Sequence, residues 1–186
     1  MYVVLEGVDT TGKSTQIELL KGVYKQSIFT KEPSDSVFGK NIRELALYGG
    51  LCNKTQTMLF LADRAKHAQD ILYPNLNKLI ISDRSLISGI AYSSLNFDLL
   101  VKINLELSPL PNLAIILKTN EKILQSRLSK KENDNIEQNG ITYLLNIQDR
   151  LIETVKKLGI DFLCLSCDLD RIEILNLICQ KINSKL

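Results

Sequence analysis

One octapeptide constrains this chain more than any other stretch: Gly7-Val8-Asp9-Thr10-Thr11-Gly12-Lys13-Ser14. Before it stands a short apolar run, Tyr2-Val3-Val4-Leu5, whose β-branched and aromatic types suit a strand. After it Ile17, Leu20 and Val23, three apart, predict a helix with one buried face. G-x-x-x-x-G-K-[ST] between a strand and a helix is the pattern of a phosphate-binding loop. Gly7 and Gly12 permit the positive φ angles and close backbone approach that turn successive N–H groups toward an anion. The helix beginning near Lys13 adds its positive dipole end at the same point. Lys13 can reach β- and γ-phosphates, and the Ser14 hydroxyl can ligate Mg²⁺. The expected ATP contacts are therefore Gly7, Val8, Asp9, Thr10, Thr11, Gly12, Lys13, Ser14 and Thr15. Chance produces the bare pattern in roughly 1% of chains this long, and the flanking strand and helix lower that further.

At 186 residues the chain has the size of one domain, and 45% apolar with 24% charged residues is ordinary globular composition. A net charge of +2 without long like-charge runs lacks the footprint of a general nucleic-acid binder. No apolar run approaches membrane-spanning length, and a strand at Tyr2 leaves no room for a signal peptide, so a cytoplasmic protein is expected. Cys52, Cys164, Cys167 and Cys179 fit reduced thiols. Cys164 and Cys167 have zinc-ligand spacing, yet no second close Cys/His pair completes a site, which favours thiols at the end of a buried strand.

Along the chain, strand and helix patterns alternate. Ser27–Thr30 reads as a second strand, running into Lys31-Glu32-Pro33, where Pro33 stops regular structure. Helical spacing covers Val37–Leu47, closed by Gly49-Gly50, and then Lys54–Leu72, closed by Pro74. Leu79-Ile80-Ile81-Ser82-Asp83 and Leu113-Ala114-Ile115-Ile116-Leu117 are continuous apolar runs typical of strands covered on both faces. Helical pieces are expected over 86–92, 98–107, 121–128, 141–158 and 172–182, with a fifth strand over Phe162–Leu165. Between them, about 127–140 is polar and charged, and is expected to form a mobile surface lid. The whole, residues 1–186, reads as a single α/β domain: a five-stranded parallel sheet with helices on both faces. In such folds ligands bind at the carboxyl ends of the strands, where the phosphate loop, Glu32 and Asp83 all fall.

A phosphate loop alone does not fix the class. A GTPase needs a guanine-reading N-K-x-D, but Asn53-Lys54 is followed by Thr55-Gln56 and Asn77-Lys78 by Leu79-Ile80. Motor and transporter ATPases are normally longer, which leaves a small kinase. The sequence resembles the thymidylate kinase family over nearly its full length. The motifs are Glu6-Gly7-Val8-Asp9, Lys31-Glu32-Pro33, Leu59-Phe60-Leu61-Ala62-Asp63-Arg64, and Asp83-Arg84 followed by Ser88 and Tyr92.

That resemblance implies a P-loop kinase fold, homodimers formed through apolar helix faces, with the helix from Lys54 a candidate, and transfer of the ATP γ-phosphoryl group to dTMP with Mg²⁺. It implies dTMP contacts from Asp9, Glu32, Pro33, Arg43, Phe60, Arg64, Arg84, Ser88 and Tyr92. Asp9 matches the position that meets the sugar 3′-hydroxyl. Phe60 and Arg64, four apart on one helix face, match the ring that stacks on thymine and the arginine that donates to a base oxygen. Arg84 and Arg43 match the groups that hold the acceptor 5′-phosphate, and Tyr92 packs near C2′. Asp83 is expected to hold Mg²⁺ through water, alongside Ser14, or to orient Arg84. Lys13, Arg84, Asp9 and Arg127 form the expected catalytic set.

Some positions depart from the family pattern. Ser34-Asp35-Ser36 follows Glu-Pro, Ser85 stands where an aromatic is usual, and Thr10 occupies a position that carries Arg in some members and Gly in others. Without an arginine at position 10, the positive charge for the transferred phosphoryl group must come from Arg127, Lys130 or Lys131, since Asn135 stands where an arginine is common. Arg150 matches a family arginine on the next helix, or is a plain surface charge. His67, the only histidine, is expected to be a partly exposed helix residue with no catalytic part. The rival acceptors are a deoxynucleoside or another monophosphate, and a nucleotide-binding regulatory module is the rival from outside the enzymes.

Overall fold

In the computed structural model, residues 1–129 and 140–186 are described. Lys130, Lys131, Asn135 and most of the expected lid lie outside the described residues. The strands are β1 (Tyr2–Glu6), β2 (Ile28–Lys31), β3 (Ile80–Asp83), β4 (Leu113–Lys118) and β5 (Asp161–Ser166). They form one sheet in the order β2-β3-β1-β4-β5, and every neighbouring pair is parallel. The helices are α1 (Lys13–Val23), α2 (Val37–Tyr48), α3 (Asn53–His67), α4 (Leu86–Ala91), α5 (Phe97–Leu107), α6 (Glu121–Leu128), α7 (Ile141–Lys157) and α8 (Arg171–Asn183).

Residues of β1 alternate between two cores, as the period of a strand requires. Val3 and Leu5 pack with Ile17 and Leu20 of α1 and with Ile174, Ile178 and Ile182 of α8. Tyr2 and Val4 face the other layer, among Leu72, Ile87, Ile90, Leu144, Ile147 and Leu151. Burying each such aliphatic side chain contributes roughly 1.5–3 kcal/mol, and both faces of the central strands are occupied in this way.

Local chemistry sets the helix ends. Ser36, Asn96, Asn120 and Asp170 cap α2, α5, α6 and α8 with side-chain oxygens that accept backbone N–H groups. The single helix expected over Lys54–Leu72 is instead α-helical to His67 and then winds through a wider π turn, Ala68–Leu72, and a 3₁₀ turn, Tyr73–Asn75. Pro74 has no N–H to donate to the carbonyl of Asp70, so regular α winding cannot continue there.

Three strand ends meet at the carboxyl edge. Leu5 and Lys31 both stand opposite Asp83. The Arg84 N–H donates to the Leu5 carbonyl at 2.9 Å, and the Glu32 N–H donates to the Asp83 carbonyl at 3.0 Å. These bonds carry the ladder one residue past the strands and fix the phosphate loop, Glu32 and Arg84 side by side.

Candidate active site

The phosphate loop closes around its own lysine. Gly7 has φ 148°, and a Cβ there would come within 2.7 Å of the Leu117 carbonyl oxygen, so no side chain fits. Gly12, at φ 96°, turns the loop into α1, whose first turn has no side-chain cap. Its leading N–H groups stay available to an anion. Lys13 Nζ donates to the carbonyls of Gly7 and Val8, each at 2.9 Å, and stands 3.9 Å from Asp9 Oδ1. Burial, with the nearby Arg84 cation, pulls the Lys13 ammonium down to about 8. A buried ammonium of that kind gains a strong partner when phosphate arrives.

Thr10 takes φ 67°, unusual for a β-branched residue. Its carbonyl accepts a 2.6 Å hydrogen bond from Arg127 Nη1, while Arg127 Nη2 donates to the Cys167 carbonyl at 3.2 Å. Arg127, at the end of α6, thereby ties the phosphate loop to the turn after β5. Ser14 and Thr15 are exposed in the first turn of α1. Asp83 Oδ1 is buried with no hydrogen-bond partner among the described residues. A hydroxyl and an orphaned carboxylate oxygen are the hard donors that Mg²⁺ takes, usually through water, so these two residues fit the ion.

Beside the loop opens a cleft. Asp9, Glu32, Pro33, Arg43, Phe60, Arg64, Arg84, Ser88 and Tyr92 all line it, so every expected acceptor contact falls in one place. Arg84 joins the two halves. Its Nη2 donates to Asp9 Oδ1 at 2.6 Å, its Nη1 to the Gly7 carbonyl at 3.2 Å and to Ser88 Oγ at 3.1 Å, and its Cζ lies 5.5 Å from the centre of the Tyr92 ring. A φ of 71° aims it there, held by Ser82 Oγ, which donates to the Arg84 carbonyl at 2.7 Å.

Beneath Arg84 lies Glu6, fully buried at the end of β1, whose carboxylate accepts from Ser85 Oγ at 2.7 Å and from Ser88 Oγ. Burial raises this carboxyl above the usual range despite both serines. Ser85, in place of the usual aromatic, is thus a buried donor to Glu6, and its Oγ also caps α4 by accepting from the Ile87 N–H.

Arg64 is buried and paired: Nε and Nη2 donate to Glu32 Oε2 at 2.8 and 2.7 Å, and Nη1 to Asn104 Oδ1 at 2.7 Å. For Glu32, burial alone would raise the carboxyl. Arg64 and His67 together outweigh it, and the net direction is down. His67 is not partly exposed but 2% exposed. Its Nε2 lies 2.6 Å from Thr30 Oγ1 on β2, and its Nδ1 lies 3.4 Å from Glu32 Oε1. The reason is tertiary: polar partners on β2 and just past its end make burial of the ring affordable, and nothing near His67 in sequence announces them.

Sequence reasoning also missed Asp63, which accepts from Ser34 N and Ser34 Oγ, each at 2.7 Å, and pins the loop after β2. It missed Asn53, Gln56, Thr57, Ser93 and Tyr143 in the cleft as well. Arg150 is exposed on α7, and its Nη2 donates to the Ser93 carbonyl at 2.6 Å, two residues past α4.

A cradle for one phosphate chain, and one arginine away a cleft with an aromatic wall and two further cations, provide for a donor and an acceptor at once. That plan defines a P-loop kinase acting on a small phosphorylated molecule. The thymidylate kinase family profile matches residues 5–174. Among curated relatives, the thymidylate kinase of Nautilia profundicola is 46% identical, covering 100% of this chain and 97% of its own length. That of Helicobacter hepaticus is 45% identical over 98% of each. A crystal structure of thymidylate kinase from Ehrlichia chaffeensis superposes with a TM-score of 0.75 at 21% identity, over 98% of each chain, and shows the fold. The chain belongs to the thymidylate kinase family.

Proposed function

We propose that this enzyme phosphorylates dTMP to dTDP with ATP as donor and Mg²⁺ as the accompanying ion. The observation that carries the reading is the position of Arg84, bonded at once to the phosphate loop at Gly7, to Asp9, and to Ser88 in the acceptor cleft. An acceptor phosphate held by that guanidinium stands next to a donor held by the loop.

The attacking atom is an already ionised phosphate oxygen, so no general base is needed, and catalysis reduces to alignment and charge neutralisation. Lys13 neutralises the β- and γ-phosphates. Arg84, with its planar fork, orients the acceptor phosphate, and Arg43 at the mouth of the cleft adds a second cation. Phe60 provides the stacking face, Arg64 a donor for the base, Glu32 and Pro33 the floor, Tyr92 the wall near the sugar, and Asp9 an acceptor for the 3′-hydroxyl. Ser14 and Asp83 would hold Mg²⁺, which would supply positive charge to the donor phosphates. Arg127, tied to the Thr10 carbonyl, is the lid-side cation within reach of the loop.

A homodimer belongs to the same reading. Val37, Leu45 and Tyr48 form an exposed apolar stripe on α2 beside Phe38, and Met58 on α3 is exposed too; light scattering at micromolar concentration tests for two copies. No helix among the described residues is long and apolar enough to cross a membrane, and a cytoplasmic site of action is proposed. The activity itself is tested by coupled ADP release with dTMP, dUMP, dCMP and dAMP. The rate is expected to be highest with dTMP, and a better rate with any base other than thymine or uracil overturns the assignment.

A further inference from the structure

The guanidinium at the base end of the cleft is confined from every side. Arg64 Nε and one Nη2 N–H go to Glu32 Oε2, the other Nη2 N–H goes to the Ser85 carbonyl at 3.3 Å, and one Nη1 N–H goes to Asn104 Oδ1. A guanidinium carries five N–H donors in one plane and no acceptor. The second Nη1 N–H has no partner among the described residues, and Arg64 lines the cleft.

Two residues outside the expected site set that geometry. Asn104 on α5 is fully buried, and its Nδ2 donates to the Leu100 carbonyl at 2.7 Å. That bond fixes which end of the amide faces Arg64, so Oδ1 accepts from Nη1. Gly89 on α4 lies against the Nη edge of the guanidinium: a Cβ there would stand 2.6 Å from both Nη atoms and 2.9 Å from Cζ. Gly89 is helical, so conformation does not call for glycine. Glycine is a poor helix former, and space for the guanidinium is what its lack of a side chain provides.

We propose that Gly89 and Asn104 are positioning residues that hold the Arg64 guanidinium with a single N–H turned to the acceptor base, and so set discrimination between a 4-oxo and a 4-amino pyrimidine. The proposal rests on the reading above that Arg64 faces the base. A 4-oxo group accepts the free N–H, whereas a 4-amino group sets donor against donor and leaves a buried donor unpaired. A guanidinium pushed back from its Nη edge loses that selectivity without touching the donor site.

The test measures kcat and KM for dTMP and for dCMP, together with KM for ATP, in Gly89→Ala, Asn104→Leu, Arg64→Lys and the double variant Gly89→Ala/Arg64→Lys. Gly89→Ala is expected to raise the dTMP KM and to lower the dTMP-over-dCMP preference by roughly tenfold, with ATP KM within about twofold of the parent. Displacing the guanidinium strains its buried pair with Glu32, so a lowered melting temperature is expected alongside, and the rates are measured below the onset of melting. Asn104→Leu moves both quantities in the same direction, and if it does not fold, Gly89→Ala carries the test alone. Arg64→Lys collapses the preference, and in that background Gly89→Ala adds nothing, because the group it displaces is gone. If Arg64→Lys leaves the preference intact, Arg64 does not read the base and the underlying reading falls. If Arg64→Lys collapses it while Gly89→Ala either leaves it unchanged or acts equally in both backgrounds, the positioning proposal is overturned and the reading of Arg64 stands.

Discussion

Removing the Glu32 carboxylate is expected to do more harm to the fold than its place in a substrate cleft suggests. Its side chain is 6% exposed and that of Arg64 is 4% exposed, so Glu32→Ala leaves a guanidinium out of water with its main partner gone. Breaking a buried pair from one side costs about 3–5 kcal/mol. In a chain of this size each kcal/mol shifts the melting temperature by about 2–4 °C, so a drop on the order of 6–20 °C is expected. Replacing both partners, as in Glu32→Leu/Arg64→Met, should recover most of that loss, because the cost lies in the unpaired charge.

The pH dependence has a definite sign. Glu32 is held below the ordinary carboxylate range in the folded protein, so its contribution is fully present above the unfolded value of about 4.3 and is lost as pH falls through the folded one. The melting difference between wild type and Glu32→Gln should therefore shrink below about pH 4. Thermal denaturation by circular dichroism at pH 7 and across pH 3–6 measures both effects. A Glu32→Ala variant that melts within about 2 °C of wild type at pH 7 would refute the reasoning, since even a half-compensated buried charge exceeds that.

Three further outcomes follow from single side chains. Lys13→Met should lower turnover at least about hundredfold while leaving the melting temperature unchanged or raised, because a desolvated ammonium is removed; steady-state kinetics beside a melt decides it. Thr10→Gly relieves a left-handed β-branched residue and should add up to about 1 kcal/mol of stability, which Thr10→Ala should not; denaturant titration separates the two. Asp63→Ala releases Ser34 and the loop after β2, so the dTMP KM should rise with the ATP KM unchanged; an equal rise in both would count against that loop serving the acceptor alone.

The sheet was legible because its central strands are short apolar runs, such as Leu113–Leu117, and β1 and β3 run straight into Glu6-Gly7 and Asp83-Arg84. The cleft was legible because Phe60 and Arg64 are four apart on a helix and Asp83-Arg84 ends a strand. What sequence could not supply was the partner of each polar group. His67 is buried because Thr30 on β2 and Glu32 just after it reach the ring, and Arg64 is buried because Glu32 and Asn104 of α5 reach its guanidinium. One faint signal existed for Asn104: it lies four residues after the buried Leu100, on the apolar stripe of α5, where a lone amide needs a partner. No comparable signal marks Gly89 as anything but a weak point in a short helix.

The most direct test of the account is a crystal structure of the protein soaked with dTMP alone. The expected result is thymine stacked on Phe60 with its 4-oxo group against Arg64, and the 5′-phosphate on Arg84 facing Lys13. Density for dTMP anywhere else, or a thymine ring that touches neither Phe60 nor Arg64, would contradict it.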